Sequence, residues 1–281
     1  MLALALGLGS SLAWGVADFM AGLKSRRLDV LTVLLLSQLA GLVAVTAVVV
    51  LRGEGPPGGD FAVWAVVSSV VGLIGLTAFY RGLAAGAMSV VAPISATAAV
   101  IPVTVGLVGG DRPSGLQVAG AALALVGVAL ASREAGEAAV GGGRLAAGVG
   151  LALLAALGFG SFFIAIDAAS EEDVLWAILV NRIAGVALLA TAAAALRPGL
   201  RAGREHLRGL VAVGTLDIGA NTLFAAASQQ GLLSLVGVAG SLYPVVTVGL
   251  ARLVLHERIA RAQQLGVAAT LVGVALITAG S

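Results

Sequence analysis

The chain has 281 residues, of which 59% are hydrophobic and only 11% are charged. A soluble domain carries about 25% charged residues, so this composition excludes an ordinary soluble protein and predicts an integral membrane protein. The chain contains no cysteine, which excludes disulfides and thiolate metal sites. The sequence pI of about 9.7 comes from basic residues in short loops, a pattern that indicates membrane topology rather than nucleic-acid binding.

Apolar runs alternate with short charged segments along the whole chain. Each run is close to the length of about 20 residues that a helix needs to cross the hydrocarbon core. The runs are continuous, whereas the strands of a membrane barrel alternate in polarity over segments of about ten residues. We therefore predict an all-α integral membrane protein with ten transmembrane helices. In chain order these are Leu2–Gly22, Val30–Leu51, Phe61–Gly82, Ala87–Val108, Leu116–Ser132, Leu145–Ile166, Val174–Leu196, Leu207–Ser228, Leu232–Leu255 and Gln263–Ala279.

The second half of the sequence repeats the first. A shift of 146 residues places LQVAGAALALVGVAL (116–130) on AQQLGVAATLVGVAL (262–276). Matches continue into the earlier helices at slightly smaller shifts: Phe79 and Phe224 at 145, Gly41 and Gly185 at 144, and Gly15 and Gly158 at 143. Ordered matches in several helices indicate a duplication. We expect residues 1–133 to form a first five-helix repeat, 134–144 a linker, and 145–281 a second repeat.

Five helices per repeat is an odd number, so the second repeat must cross the membrane in the inverted orientation. The loop charges support this independently. The segment Lys24–Asp29 carries three basic residues, and its counterpart Asp167–Asp173 carries four acidic residues and no basic one. Corresponding loops of opposite charge are what inverted repeats require under the positive-inside rule.

The same charges predict which side each loop occupies. Of the 16 basic residues, 13 lie in or next to the loops that join an odd-numbered span to the following even-numbered one. The exceptions are Arg52, Arg112 and Arg182. We therefore expect a multi-pass protein of the plasma (bacterial inner) membrane with both termini extracytoplasmic. The first span has no positive segment before it, so we expect it to be retained rather than cleaved as a signal peptide.

The aligned segments resemble the EamA family of the drug/metabolite transporter (DMT) superfamily. LAWGVADF (12–19) resembles the family's WG-x-x-x-F opening, and an acid followed by Gln and Gly near the last helix appears as Glu257, Gln264 and Gly266. The first repeat departs from this pattern with Asp111 in place of Glu. The resemblance implies ten helices in two inverted units, a central substrate cavity and movement of small metabolites, often as export. The family's usual orientation has the termini inside, which is the reverse of the charge count.

The resemblance also relates one residue in the second helix of the first repeat to one in the second helix of the second repeat. The basic residue that is frequent there in the family is matched by Arg182 in the second repeat, whereas the equivalent position of the first repeat holds Gln38.

Asp18, Arg182 and Asp217 are the charged residues that lie at membrane depth, farther from the span ends than the other charges, and they need an explanation. A charge at a helix centre costs about 2.5–3.5 kcal/mol. Arg182 and Asp217 lie at depths that differ by about 6 Å at 1.5 Å per residue, so an ion pair is feasible. Asn181 and Asn221 are close enough to satisfy remaining hydrogen bonds. Either Arg182 binds an anionic group of the substrate, or Asp217 takes up a coupling proton, or the two form a buried pair that fixes helix register without touching a ligand.

Asp18 is the third buried charge. It lies toward the end of the first helix, where it could face the mouth of a cavity. The alternative is a helix-end acid that reaches Lys24 or Arg26.

Two aromatic residues are candidates for cavity walls or gates. Trp14 and Tyr243 each combine an aromatic surface with one polar atom, and Trp14 is too deep for the interfacial belt. Three other aromatic residues are expected to serve helix packing: Phe79, Phe162 and Phe224.

Prolines interrupt two equivalent predicted spans. Pro93 and Pro102 lie in the fourth span and Pro244 in the ninth. Interrupted segments at matching places in two halves point to a transporter site, so these prolines are candidate hinges, although bends that serve packing alone are the alternative. Glu257 is expected to stabilise a helix N-terminus rather than bind substrate.

The combined pattern predicts a secondary transporter that moves a small polar metabolite, such as an amino-acid-like compound, by alternating access, with export as the expected direction. The alternatives are a multidrug or cation exporter of the same fold, or a channel or facilitator. No enzyme motif is present and the two histidines lie in loops, so we expect no catalytic residue, no cofactor and no metal. Expected partners are the substrate and the lipid bilayer, with a proton as candidate coupling ion, in a monomer or homodimer without nucleic acid.

Overall fold

The computed structural model describes residues 1–84, 95–131, 142–196, 202–255 and 261–280. Within these ranges the regular structure is helical. The first half of the chain contains α1 (Leu2–Ser25), α2 (Val30–Arg52), α3 (Phe61–Ala84), a 3₁₀ turn (Ala96–Ala99), α4 (Val100–Gly109) and α5 (Gly115–Ala131). The second half contains α6 (Gly142–Ala169), α7 (Val174–Leu196), α8 (Arg204–Ser228), α9 (Leu233–Gly240), α10 (Tyr243–Leu255) and α11 (Arg261–Ala279).

Six helices are long and apolar enough to cross a membrane, and they correspond to the first, second, third, sixth, seventh and eighth predicted spans. The other four predicted spans correspond to shorter apolar helices in the described residues, at Thr97–Gly109, Gly115–Gly127, Leu233–Thr247 and Gln264–Ile277. Large apolar side chains also face outward, such as Val43 and Val50 at 69% and 70% exposure. An outward apolar surface of this kind suits lipid rather than water. The protein is therefore a multi-pass membrane protein.

Local sequence signals set the ends of several helices. The carboxylate of Asp29 accepts a hydrogen bond from the backbone N–H of Leu31 at 2.9 Å and so caps α2. The same helix ends at Gly53, whose φ of 72° lies in the left-handed region that glycine adopts without strain. Asp173 accepts from the backbone N–H of Trp176 at 2.9 Å at the start of α7. These caps fix where chain segments leave the helical bundle.

Helices from the two halves pack directly on one another through small residues. A Cβ atom on Gly158 of α6 would lie 2.5 Å from the Cα of Gly75 and 2.7 Å from the carbonyl oxygen of Val71, both in α3. In α5, Gly120 lies against the backbone of Gly273 in α11. Only glycine permits such close approach of two helix backbones, which is the usual way that membrane helices gain van der Waals contact. The pairs α5 with α11, α3 with α6 and α1 with α8 form the main contacts between the halves.

The contacts of the two halves are reciprocal. Gly41 of α2 lies against Arg182 and Gly214, and Gly185 of α7 lies against Gln38 and Ser69. Shifts of 144 and 145 residues convert one set of contacts into the other. The duplication seen in the sequence is thus reflected in how the helices pack.

The contacts correct the alignment of the first helix. A Cβ on Gly15 would lie 2.7 Å from the carbonyl oxygen of Tyr243, and a Cβ on Gly160 would lie 2.7 Å from that of Ala98. The structural counterpart of Gly15 is therefore Gly160, at a shift of 145, and the match with Gly158 at a shift of 143 was wrong. In a segment so rich in glycine, identical residues align by chance, and packing contacts identify the equivalent positions more securely than sequence identity does.

The ninth predicted span, Leu232–Leu255, is not one helix. Helix α9 ends at Gly240, a turn follows, and α10 starts at Tyr243. The 3₁₀ turn Ala96–Ala99 precedes α4 at the equivalent place in the first half, one repeat length earlier. The two halves thus share a backbone irregularity at matching positions.

The prolines occupy helix starts. Pro244 is the second residue of α10 and Pro102 is the third of α4. Proline is tolerated in the first turn, where its missing N–H has no partner to lose, so neither residue kinks a continuous helix as predicted. Pro93, the predicted linker residues 134–141 and Glu257 lie outside the described residues.

Close packing at Gly158 can be tested by one methyl group. Replacing Gly158 with Ala should lower the thermal unfolding temperature of the purified protein, because the added Cβ meets backbone atoms that cannot move aside, and overpacking costs about 1–3 kcal/mol. The matched control is Gly219→Ala in α8, where a Cβ has no heavy atom within 4 Å. Both substitutions gain the same helix propensity. Equal unfolding temperatures for the two variants would contradict the packing described here.

Candidate functional site

A partly open cavity lies between the two halves, midway along the long helices. It contains about 620 Å³ of empty space, counting its open part. All seven predicted substrate-binding residues line it: Trp14, Asp18, Asn181, Arg182, Asp217, Asn221 and Tyr243. Binding sites of small molecules combine an apolar lining with a few polar groups, as this cavity does. The cavity is thus the candidate functional site.

Arg182 is the centre of its polar network. The side chain is 2% exposed, and it is among the largest fully buried side chains in the described structure. Its Nη2 donates to the Oδ2 atom of Asp217 at 2.9 Å, which is the ion pair that the helix depths predicted. Its Nη1 donates to the Oε1 atom of Gln38. The guanidinium of the second half is therefore held by an acceptor from each half.

The rest of the Arg182 side chain is tightly enclosed. Its Nε atom is buried and has no hydrogen-bond partner among the described residues. Gly41 lies beside it, since a Cβ on Gly41 would be in ordinary contact with the guanidinium carbon at 3.6 Å, and the close approach of Gly41 is to the carbonyl oxygen of Gly214, at 3.0 Å. The side chain of Asp217 is 18% exposed. Of the two partners in the ion pair, Asp217 is the one that faces open space.

Asp18 is buried at 6% exposure, and its Oδ1 atom accepts a hydrogen bond from the hydroxyl of Tyr80 at 3.2 Å. Lys24, which the sequence offered as a partner, instead contacts Nδ1 of His206 at 3.2 Å. Asp18 thus lines the cavity, bonded to a neutral phenol.

Two asparagines are fixed by hydrogen bonds across the cavity. The indole N–H of Trp14 donates to Oδ1 of Asn221 at 3.0 Å, and the amide of Asn181 donates to the hydroxyl of Ser68 at 2.8 Å. Each bond joins a helix of the first half to one of the second. The cavity wall is consequently shared between the halves.

Tyr243 connects the cavity to the irregular segments of both halves. It is the first residue of α10, directly after the break that follows α9. Its hydroxyl lies 3.0 Å from that of Ser95, immediately before the 3₁₀ turn of the first half. A movement of either broken segment would therefore be transmitted to the cavity wall through this contact.

Aromatic rings also line the cavity. The ring centroid of Trp14 lies 5.6 Å from that of Phe163, 6.3 Å from that of Phe162 and 5.7 Å from that of Phe224. Phe79, Phe162 and Phe224 are packed in the core as expected. Phe162 lines the cavity in addition, together with Phe163.

Several lining residues were missed from the sequence. They are Gln38, Ser68, Ser69, Gly72, Leu73, Leu76, Phe159 and Phe163. Gln38 could have been found, since it is the repeat counterpart of Arg182 and a polar residue within an apolar span. The serines and the apolar residues carry no such signal, because similar residues occur throughout the chain.

The acid of the first repeat that precedes α5 has a structural role. An oxygen of Asp111 accepts from the backbone N–H of Ser234 at 2.9 Å, in the first turn of α9. A carboxylate at a helix N-terminus is stabilising. Asp111 therefore lies apart from the cavity and ties the two halves together near one end of the bundle.

Comparisons with known proteins agree with this architecture. The model of the EamA-like transporter family matches residues 1–133 and 146–279. A solved crystal structure of a protein matches with a TM-score of 0.81, covering 98% of this chain and 98% of its own, at 19% sequence identity. Such a low identity supports the fold alone. A search of curated protein sequences found no significant match.

The stability of the Arg182–Asp217 pair can be tested with two single variants and their combination. Arg182→Met or Asp217→Leu alone should lower the thermal unfolding temperature, because breaking a buried pair costs about 3–5 kcal/mol. The double variant removes both charges and should unfold closer to the wild-type temperature. If the double variant unfolds at a temperature no higher than that of Asp217→Leu, the two side chains do not neutralise each other as described.

Proposed function

We propose that this chain, which belongs to the EamA-like transporter family, is a secondary transporter. It moves a small polar solute through the central cavity by alternating access. The observation that carries this proposal is the cavity itself. Buried charged and amide groups from both halves converge at mid-depth of an otherwise apolar bundle. Polar groups at that depth are costly, and in membrane proteins they mark substrate or ion pathways.

The contacts at the helix ends support an inverted arrangement of two five-helix repeats. Lys24, at the end of α1, contacts His206 near the start of α8. Arg52, at the end of α2, forms an ion pair of 2.6 Å with Asp173, just before α7. Loops 1–2 and 7–8 therefore meet at one end, and loops 2–3 and 6–7 meet at the other. This is the pairing that inverted repeats of five helices give.

The break that divides the ninth predicted span supports alternating access. In secondary transporters, discontinuous helices at matching places of two repeats surround the substrate site at mid-membrane. Here the break lies directly before Tyr243, which lines the cavity. The Ser95–Tyr243 contact links it to the 3₁₀ turn that leads into α4 at the matching place of the first half. Two similar halves can rock around such a site between outward-open and inward-open states.

One end of the bundle carries contacts that such rocking must break. Arg52 pairs with both Glu54 and Asp173, and the indole N–H of Trp176 donates to the carbonyl oxygen of Glu54 at 3.1 Å. Glu54 belongs to the first half, and Trp176 and Asp173 to the second. Partly exposed ion pairs contribute only about 0–1 kcal/mol each, so these contacts bias the equilibrium between states without locking it.

Within this function, Arg182 is a positioning residue and Asp217 is a binding residue. Arg182 is almost fully enclosed and its terminal nitrogens are already bonded. Asp217 faces the cavity, together with Asp18, Asn181, Asn221, Trp14 and Tyr243. The earlier alternatives, in which Arg182 binds an anion or the pair touches no ligand, are less compatible with this geometry.

Alternating access predicts a specific pattern of chemical reactivity. The chain has no cysteine, so a single introduced thiol is the only one present. We expect Ser69→Cys, which lines the cavity, to react with a membrane-impermeant thiol reagent applied to either face of sealed vesicles, without any ion conductance. Ser10→Cys is the matched control, because Ser10 is equally buried but does not line the cavity. Failure of Ser69→Cys to react from either face would refute the proposal, and reaction accompanied by steady conductance would favour a channel.

The proposed location is the plasma membrane with both termini extracytoplasmic, and this has its own test. Glu171 lies in the exposed loop between α6 and α7. We expect Glu171→Cys in intact cells to react with an impermeant thiol reagent from outside, because this acidic loop should face away from the cytoplasm. If Glu171→Cys is labelled only after the cells are permeabilised, the loop faces the cytoplasm. That result would contradict the proposed orientation without affecting the fold. The unmodified cysteine-free chain is the control for background labelling.

A further inference from the structure

We infer that the solute carries a cationic organic nitrogen, held by the carboxyl groups of Asp18 and Asp217 and by the aromatic rings of Trp14, Phe162 and Phe163. The inference rests on the proposed transport function and names the substrate class for that same cavity. Among the sequence-based alternatives, it favours the cation exporter over a site in which Arg182 meets an anionic group.

The charge of the cavity lining favours a cation. Its ionisable residues, apart from the phenol of Tyr243, are the carboxyl groups of Asp18 and Asp217 and the guanidinium of Arg182. Arg182 offsets one carboxylate, and the other must be neutralised because an uncompensated charge away from water is costly. A bound cation can neutralise that carboxylate in place of a proton.

The positive group of the cavity, the guanidinium of Arg182, already has hydrogen-bond partners within the protein. Arg182 donates one terminal nitrogen to Asp217 and the other to Gln38, and it is 2% exposed. A carboxylate ligand would have to displace Asp217 from the guanidinium and then lie in the same cavity as two aspartates. The structure therefore disfavours an anionic solute by like-charge repulsion.

The carboxyl groups of Asp18 and Asp217 each keep one oxygen available to accept a hydrogen bond. Oδ1 of Asp18 accepts from Tyr80, and Oδ2 of Asp217 binds Arg182. The second oxygen of each carboxyl group has no hydrogen-bond partner within the described part of the chain. Lone pairs that remain available in a cavity recognise N–H donors, and those of a charged amine give the stronger bonds.

The aromatic rings of the lining favour an organic cation over an inorganic one. Trp14, Phe162 and Phe163 line the cavity. An aromatic ring attracts a cation that lies over its face within about 6 Å, whereas a bare metal cation requires about six oxygen ligands at short distances. A cavity lined by two carboxyl groups and three aromatic rings suits a substituted ammonium with an apolar substituent.

The test is equilibrium binding to the purified full-length chain in detergent. The probes are benzyltrimethylammonium, which is permanently cationic, and 3-phenylpropanoate, an anion of similar size. We expect the cation to bind and the anion to bind more weakly. Asp217→Asn and Asp18→Asn should each weaken cation binding about tenfold or more, equivalent to 1.4 kcal/mol. Asp60→Asn, an identical change at an exposed loop residue, should leave binding unchanged.

Three results would overturn the inference: no binding of the cation to the wild-type chain, cation binding unaffected by both cavity substitutions, or tighter binding of the anion. Thermal unfolding shows whether each variant is folded. If Asp217→Asn does not fold, Asp18→Asn decides, because Asp18 has no ion-pair partner to lose in the described structure. A second readout is protection of Ser69→Cys from the thiol reagent, which benzyltrimethylammonium should slow and 3-phenylpropanoate should not.

The outcome also separates the substrate class from the proposed function. If Ser69→Cys reacts from each face but the cation does not bind, the transport mechanism stands and the cationic class falls. If the cation binds but Ser69→Cys reacts from neither face, the cavity is a cation site and alternating access falls.

Discussion

A single buried guanidinium determines how the two halves of this protein meet. Arg182 lies in the second half, yet one of its two acceptors, Gln38, belongs to the first. A charge at this depth has no water to solvate it, so the helices that supply its acceptors must stay in place. Beside this side chain, Gly41 on α2 and Gly214 on α8 let the two helix backbones approach each other, since a Cβ on Gly214 would meet the carbonyl oxygen of Ser37. Packing and electrostatics thus impose the same helix arrangement.

The rest of the architecture follows from the need to satisfy or exclude polar groups in an apolar medium. Glycine contacts such as Gly158 on Gly75 and Gly120 on Gly273 bring backbones together and leave no room for solvent. The buried charged and amide side chains at mid-depth instead gather in the central cavity. Because Trp14–Asn221 and Asn181–Ser68 each join the two halves, the cavity responds to any relative movement of those halves.

Much of this was predictable from the sequence, for identifiable reasons. A charge in an apolar span is rare enough to be informative, so Asp18, Arg182 and Asp217 could be selected and the Arg182–Asp217 pair anticipated from helix depth alone. The break at Ser241–Leu242 could not be predicted, because Pro244 is compatible both with a kink inside a helix and with a helix start. Phe162 and Ser69 face the cavity through the rotation of their helices, which an evenly apolar sequence does not define.

The enclosure of Arg182 has a consequence for selectivity as well as for stability. A guanidinium open to the cavity would attract anions, whereas Asp217 neutralises it here and Asp18 is the other carboxyl group of the lining. In the proposed transporter, the residue that joins the halves would therefore also influence which solutes the cavity accepts. A substitution that frees Arg182 from Asp217 changes both properties together, because the same hydrogen bond that orders α7 against α8 cancels the positive charge. Stability and solute preference are in this respect one property of the fold.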